Sequence, residues 1–504
     1  MLRLRLRPAR GLRAWPSVLV LSAGLAACAQ PDHRAQPSVP AQFAGANPAA
    51  DRDALAGMTA TARTDAATLA RWWDSFGDEA LSELMRQALT QNLELQESLA
   101  RIELARAGLR GARSAQFPSV NLGGSASQDR IRPDDRPPVD LPGIGLTVQL
   151  RNWDAALEGS WEVDLFGAQR ARVSGDSQRL AATQAESAAV RIAVAAGVAQ
   201  GYVQFRRLQA LIDIATQAEQ VAQRESHVAK RLFEIGRSTR LDVESLSAEA
   251  LDRGVERVEL QTRLAEAGFA LDTLVGSAPG SVFQSLTPRQ PIPFAQAVNP
   301  GQPAELLRRR PDVLAATLAL RGSEFDALAA RQNVFPKLTL NAAIGRQGLE
   351  VGNLISGASS FSRVAAMLGL PLIDFGLRRS QIEAADAQSE LDYLGLERVV
   401  AQALEEVERA LAQLEGSAQR ARGVDASAER REHALRLAQR SYEVGQIGLA
   451  DVLEAQRGAL AGAQARTELS AARADAQIAL FVALGGGWNI PTEVARSPED
   501  AFQR

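Results

Sequence analysis

From Asp78 onward apolar residues recur at helical spacing. Leu81, Leu84, Met85, Ala88 and Leu89 share one face, and a second run continues through Leu104 and Leu109 to Ala115. Phe117-Pro118 ends the run, because proline disfavours helical geometry in the residue before it. The pattern then changes to period two, with Val120, Leu122, Gly124 and Ala126 against Asn121, Gly123, Ser125 and Ser127. In "WDAALEGSWEVDL" the odd positions Trp153, Ala155, Leu157, Gly159, Trp161, Val163 and Leu165 are apolar, and Asp154, Glu158, Ser160, Glu162 and Asp164 lie between them. A strand with tryptophans on one face and carboxylates on the other suits a membrane barrel around a watery lumen. A strand of a soluble sandwich is the alternative, but it would need a second sheet over its apolar face, and the sequence offers none.

The second half repeats these steps. "FPKLTLNAAIG" sets Leu338, Leu340, Ala342 and Ile344 against Thr339, Asn341, Ala343 and Gly345. "FSRVAAMLGLPLIDFG" alternates more weakly and closes on Phe375-Gly376, as the earlier strand closes on Phe166-Gly167; its Pro371 argues for a strand end. Four strands cannot close a barrel, for which about eight is the practical minimum, so strands that span a membrane here require several chains.

After each hairpin runs a helical pattern without interior proline, from about Ala168 to Phe233 and from about Leu377 to Tyr442. At about 1.5 Å per residue each extends on the order of 100 Å, beyond any bilayer. In the second, Tyr393, Leu396, Val400, Ala403, Val407, Ala410 and Leu414 form one seam, and Leu404 and Leu411 begin another. Two seams mean packing on two neighbours, as in a helical barrel, and the surface between them is too polar for lipid. Each long helix then turns at a glycine suited to a left-handed cap, Gly236 or Gly445, and a second helix returns, from about Asp242 to Val275 and from about Leu449 to Leu484. The two turns, "FEIGRSTRLDVESLS" at 233–247 and "YEVGQIGLADVLEAQ" at 442–456, echo each other, which marks an internal duplication in a 504-residue chain.

The N-terminus adds a compartment. Arg3, Arg5, Arg7, Arg10 and Arg13 precede the short apolar stretch "VLVLSAGLAA" and Cys28, the chain's one cysteine. "Leu25-Ala26-Ala27-Cys28" resembles a bacterial lipobox, in which Cys28 would be acylated; an ordinary secretory signal with an incidental cysteine is the alternative. Loss of those five arginines and no acid takes the formal charge from −3 to about −8. Ala29 stands where an inner-membrane retention signal would place aspartate. Residues 28–70 read as an extended tether. A modest net charge gives no reason to expect nucleic acid, and one cysteine allows no intramolecular disulfide.

No catalytic set is visible. His33, His227 and His433 are scattered, and Walker A, CxxC and G-x-S-x-G patterns are missing. The carboxylates of interest are Asp451 and Glu454, three apart near a helix start, where each would at least complement the helix dipole by about 0.3–1 kcal/mol.

The joint order of "WWDSFGDEALSELMRQALTQNLEL", the two "FP" boundaries, "SWEVDLFG", "LLRRRPDVLAA" and the paired "EIG" and "EVG" turns resembles the outer membrane factor (TolC-like) family, most closely its lipoprotein branch serving RND efflux systems. The match runs from Trp72 to about Trp488. It implies a mixed membrane α/β fold: a homotrimer whose four strands per chain form a twelve-stranded outer-membrane β-barrel, continued by a periplasmic α-helical barrel. It implies an efflux duct served by a periplasmic adaptor and an inner-membrane transporter, with no cofactor beyond a covalent lipid on Cys28 and no enzymatic activity. A type I secretion channel and a structural periplasmic coiled-coil lipoprotein are the competing readings.

On this basis the expected layout is signal peptide 1–27, tether 28–70, first repeat 71–290, second repeat 291–488 and tail 489–504. The first repeat carries strands about 118–129 and 153–166 and helices about 168–233 and 242–275. The second carries strands about 336–346 and 361–374 and helices about 377–442 and 449–484. The loops between the strands of each hairpin are expected outside the cell. By the resemblance, Asp451 and Glu454 ring a periplasmic aperture, and Tyr442 and Asp242 match members of a network that constrains it; Ile447 and Leu241 replace an arginine and a threonine of that network. The turns at Gly236, Arg237, Gly445 and Gln446 would face the adaptor, unless they are helix turns and nothing more.

Overall fold

A computed structural model describes residues 37, 40, 43, 69–131, 148–295, 308–349 and 359–488. The expected signal segment, Cys28, His33, most of the expected tether, the hairpin connections at 132–147 and 350–358 that are expected outside the cell, and the tail lie outside them. After a 3-10 turn at Trp72–Phe76 come α1 (Glu79–Gln91), α2 (Leu93–Ser114), β1 (Ser119–Ile131), β2 (Val148–Val163), α3 (Ala168–Glu234) and α4 (Arg240–Val275). There follow α5 (Ser281–Ser285), α6 (Pro311–Gln332), β3 (Lys337–Gly348), β4 (Ser359–Gly369), α7 (Leu377–Glu443) and α8 (Leu449–Ala483). The chain divides into two units.

The first unit comprises the described residues within Glu103–Ala181 and Thr317–Gly395. Its centre is an antiparallel sheet in the order β1-β2-β3-β4. Register decides what the alternation means. Leu122 lies opposite Leu157 and Leu157 opposite Ile344, while Trp161 lies opposite Leu340 and Val163 opposite Leu338, all on one face. The other face carries Asn121 opposite Glu158, Ser125 opposite Asp154 and Glu162 opposite Thr339. That polar face is cross-linked: Ser125 donates to Asp154, Gln347 to Asn152 at 2.8 Å, and Lys337 pairs with Glu162 at 3.3 Å. One face fits lipid and the other a wet lumen.

β2 and β4 end earlier than their alternation suggests, at Val163 and Gly369, because each is followed by a helix start. Asp164 accepts from the backbone N–H groups of Gln169 and Arg170, at 3.2 and 2.9 Å. Asp374 accepts from those of Gly376 and Arg378, at 3.1 and 3.3 Å. Both carboxylates satisfy donors that an α-helix leaves open at its N-terminus. Pro371, without an N–H, also stops the ladder of β4. Below the sheet α3 and α6 approach closely, since a Cβ on Gly175 would lie 3.2 Å from the Gly322 carbonyl. Arg179 of α3 pairs with Asp326 of α6, and Arg331 of α6 with Asp386 of α7 at 2.7 Å.

The second unit comprises the described residues within Gln36–Ile102, Ala182–Ala316 and Leu396–Arg504. Trp72 is fully buried and stacks on Phe481 of α8, centroids 5.2 Å apart, while Leu81, Met85 and Ala88 of α1 join Val198, Tyr202 and Phe205 of α3 and Leu271 of α4. The apolar run after Asp78 is two helices. Asn92 breaks it, donating from its amide to the Leu274 carbonyl at 2.9 Å and accepting from Leu95 N–H at 2.9 Å, which caps α2. On α7, Leu396, Val400, Ala403, Val407 and Ala410 are buried, with Leu404 and Leu411 half-buried beside them, so both seams exist. His227 and His433 are exposed.

One buried polar network fastens this core. The Arg206 side chain is 2 % exposed. It donates to Tyr202 Oη at 3.0 Å, Gln209 Oε1 at 2.8 Å and the carbonyls of Leu286 and Pro288 at 3.1 and 2.6 Å. Tyr202 donates in turn to Asp78 at 2.6 Å, and Asp78 caps α1 through Leu81 N–H. Burial, then the bond to Asp78, raises the Tyr202 phenol well above its ordinary range. A buried network of this kind is worth most when complete. Arg206→Met is expected to destabilise the chain by about 3 kcal/mol or more, by stranding carbonyls and Tyr202, whereas Tyr202→Phe costs about 1–2 kcal/mol. Denaturant unfolding of the two variants checks the order.

Candidate functional site

The tips where α3 turns into α4 and α7 into α8 carry every described residue singled out by sequence. The two hairpins are built alike. Gly236 and Gly445 have φ of 72° and 75°, a left-handed conformation open to glycine, and in each the next residue closes a bond five residues back: Arg237 N–H to Leu232 O at 2.7 Å, Gln446 N–H to Ser441 O at 2.8 Å.

The return helices start differently. Thr239 caps α4 through a reciprocal pair, in which Asp242 N–H donates to Thr239 Oγ1 at 3.1 Å and Asp242 Oδ2 accepts from Thr239 N–H at 2.9 Å. The same oxygen accepts from the Thr239 and Ser238 hydroxyls at 2.7 and 3.0 Å. The Thr239 backbone and these hydroxyls hold Asp242 below the usual aspartate range. At α8 only half of this survives, because Gly448 has no side chain: Asp451 Oδ2 accepts from Gly448 N–H at 2.9 Å.

Within one chain Tyr442 is 45 % exposed and makes no hydrogen bond to Asp242, whose Oδ2 is engaged by its own turn. Asp451 and Glu454 are both exposed, but Glu454 accepts from Arg457 Nη2 at 2.5 Å. The structure therefore gathers Asp451, Glu454 and Tyr442 at one tip and Asp242 at the other, without joining them directly.

It also adds residues that sequence reasoning missed. Besides Glu454, Arg457 of α8 reaches Glu249 of α4 at 3.4 Å and Glu225 of α3 at 3.4 Å. One guanidinium thus ties the second helical hairpin to the first. The Glu225 side chain is only 8 % exposed and its Oε2 has no hydrogen-bond partner. Burial pushes its carboxyl above the usual glutamate range against the pull of Arg457, with Glu249 and Glu454 adding to the rise. A signal was present: Glu225 interrupts the apolar stripe Val221, Ala222 and Ala229 of α3. A carboxylate there needs a cation, and Arg457 stands immediately after the quoted turn motif. Nearer the core Arg207 of α3 pairs with Glu468 of α8 at 2.5 Å, a second tie between the same hairpins.

An amphipathic four-stranded sheet and two duplicated helical hairpins are matched, over residues 84–277 and 303–486, by the family model for outer membrane efflux proteins. The chain belongs to the outer membrane efflux protein family. Outer membrane protein OprJ of Pseudomonas aeruginosa is 29% identical to it over 487 residues, covering 96% of this chain and 97% of OprJ. The toluene efflux pump outer membrane protein TtgF of Pseudomonas putida is 28% identical over 473 residues, covering 94% and 96%. Among solved structures, the outer-membrane channel OprN superposes with a TM-score of 0.78 at 26% identity, covering 92% of this chain and 99% of that one. The fold is that of a trimeric outer-membrane channel, with four strands per chain in a twelve-stranded barrel and a large helical part. Among the described residues no helix is long and apolar enough to cross a membrane.

Arg457→Met leaves Glu225 buried without its cation and is expected to loosen the tips by about 1–3 kcal/mol, a range reduced for the partial exposure of Arg457. Glu225→Gln in the same chain restores most of that, and hydrogen exchange at 220–250 and 445–460 reads both. The pH dependence has a definite sign. A carboxyl raised in the folded state binds a proton more readily folded than unfolded, so its contribution is complete below the ordinary value of 4.5 and lost as pH rises through the raised one. Tip stability therefore falls across that window in the natural chain, and Glu225→Gln flattens the slope.

Proposed function

We propose that this outer-membrane efflux protein is the exit duct of a tripartite system, open to substrates handed over by a periplasmic adaptor and an inner-membrane transporter of the RND type. The observation that carries the reading is the pairing, in one duplicated chain, of a lipid-and-lumen sheet with helices of 67 residues, about 100 Å long. Such a chain has a way through the outer membrane and a reach into the periplasm. The duct has no reaction of its own to catalyse, and energy comes from the transporter. Cys28 carries the lipid that holds the mature N-terminus at the membrane. Substrate choice lies upstream, with the transporter.

The tips supply the lower aperture. In a trimer Asp451 and Glu454 bring six carboxylates together, a site that attracts cations and resists closure when unscreened. Glu454 is partly neutralised by Arg457, so Asp451 is the stronger member. Tyr442 and Asp242 restrain the aperture between neighbouring tips, with Thr239 and Ser238 holding Asp242 charged. The turns at Gly236, Arg237, Gly445 and Gln446 meet the adaptor.

Deleting the gene is expected to sensitise cells to drugs, dyes, detergents or metals, with restoration by a plasmid copy; unchanged sensitivity across a broad panel counts against efflux and leaves protein secretion to be assayed. The aperture has its own measurement. Asp451→Asn keeps an acceptor for Gly448 N–H and removes the charge, so cation selectivity in planar bilayers should drop while thermal stability changes by less than about 1 kcal/mol. Unchanged selectivity would leave Asp451 as a helix cap and nothing more.

A further inference from the structure

At the foot of the sheet the ring of Phe166 stacks on that of Phe335, centroids 4.8 Å apart and planes 19° from parallel. Phe166 lies three residues beyond Val163 and Phe335 three before Leu338, and Val163 and Leu338 are opposite each other. The stack therefore continues the β2 to β3 register past the end of the ladder. A second copy of each half of this contact stands at the outer edges of the sheet. Phe117-Pro118 precedes β1 as Phe335-Pro336 precedes β3, and Phe375-Gly376 follows β4 as Phe166-Gly167 follows β2.

The correspondence is carried by the hairpin registers as well as by the motifs. Ser119, two residues after Phe117, pairs with Ser160, six before Phe166. Lys337, two after Phe335, pairs with Gly369, six before Phe375. Yet within the chain Phe117 is 68 % exposed and Phe375 is 99 % exposed. Phe375 is also held at φ 50°, alone among the described non-glycine residues in having positive φ, a conformation that needs support from its surroundings. β1 and β4 each keep one unpaired edge.

We propose that Phe375 of one protomer stacks on Phe117 of the next, and that β4 pairs with the next protomer's β1 in the register copied from β2 and β3, which sets Leu370 opposite Leu122, Leu368 opposite Gly124 and Ala366 opposite Ala126. The trimeric barrel requires some pairing of these edges; the duplication selects one register and names the aromatic pair that fixes it. Six equivalent corners then ring the foot of the barrel, three closed by the Phe166 and Phe335 pair within chains and three by Phe375 and Phe117 between them.

Cysteine pairs in the full-length chain test the register. Directly opposite residues place their Cβ atoms about 4.5–5.5 Å apart and diagonal ones about 7–8 Å apart, so a slip of two residues takes a pair out of disulfide reach. Ala366→Cys with Ala126→Cys, oxidised in outer membranes, should give covalent dimers and trimers on non-reducing gels. Ala366→Cys with Gly124→Cys or with Gln128→Cys should give far less. A disulfide within one chain is excluded by two intervening strands, about 14 Å across in total, and single-cysteine variants give the background. Preferential cross-linking of a slipped pair, or none from any pair in a protein that still runs as a trimer, overturns the register.

A second readout needs no cysteine. Phe117→Ala and Phe375→Ala should each lower the temperature at which the trimer dissociates in detergent, and the double variant should fall little further than either. Additive losses would mean two separate lipid-facing anchors and would overturn the stack. A natural chain that is monomeric by native mass spectrometry would instead remove the trimeric barrel on which the proposal rests.

Discussion

A backbone N–H or C=O left without a partner in hydrocarbon costs several kcal/mol, and a sheet of four strands leaves a row of them along each outer edge. This cost governs the molecule. The apolar face running through Leu122, Leu157 and Ile344 selects lipid, and the face carrying Asp154, Glu158 and Glu162 selects water. A single chain can satisfy both faces and still not its edges. Closure between copies is the remaining solution, and a closed barrel with a polar interior is a pore.

The helices follow from the same logic. Because each chain enters the barrel as two hairpins, it leaves as two long helices, and each of these turns once and comes back. α3 and α7 are both 67 residues long, as expected of two copies of one unit. Beyond the core around Trp72 and Phe481, such length depends on seams, small residues at crossings and pairs between helices. Gly462 shows how close α7 and α8 run, since a Cβ there would lie 3.2 Å from Ala428 Cα. The copies have diverged at their tips. The first tip has a threonine cap and an aspartate whose Oδ2 accepts three hydrogen bonds; the second has Gly448, an Asp451 that accepts from one backbone N–H, and the Arg457 bridge to Glu225.

The strands, long helices and paired tips were legible because each is written as a period or a repeat: two for Trp153 to Val163, heptad spacing for Leu396 to Ala410, and one recurring turn. Boundaries were less so. Asp164 and Asp374 read as strand residues by alternation and act as helix caps, a competition that period counting does not weigh. The break at Asn92 depends on the Leu274 carbonyl, 182 residues away. For the same reason Tyr202, Asp78 and Arg206 could not be grouped in advance. Arg457 and Glu225 are also far apart in sequence, and only the misfit of a carboxylate on an apolar stripe pointed to them. Asp242 was legible as important, but its engagement with Thr239 depends on the geometry of the turn and not on spacing alone.

Hydrogen–deuterium exchange of the backbone amides of β1 and β4 in the purified, detergent-solubilised protein tests edge closure most directly. If the sheet is closed between protomers, outward-edge amides of β1 and β4 are protected to the same degree as those of β2 and β3, and lose that protection when the trimer is dissociated. Rapid exchange along both edges in the intact protein would mean that the four strands stand alone, and that this chain does not form the channel.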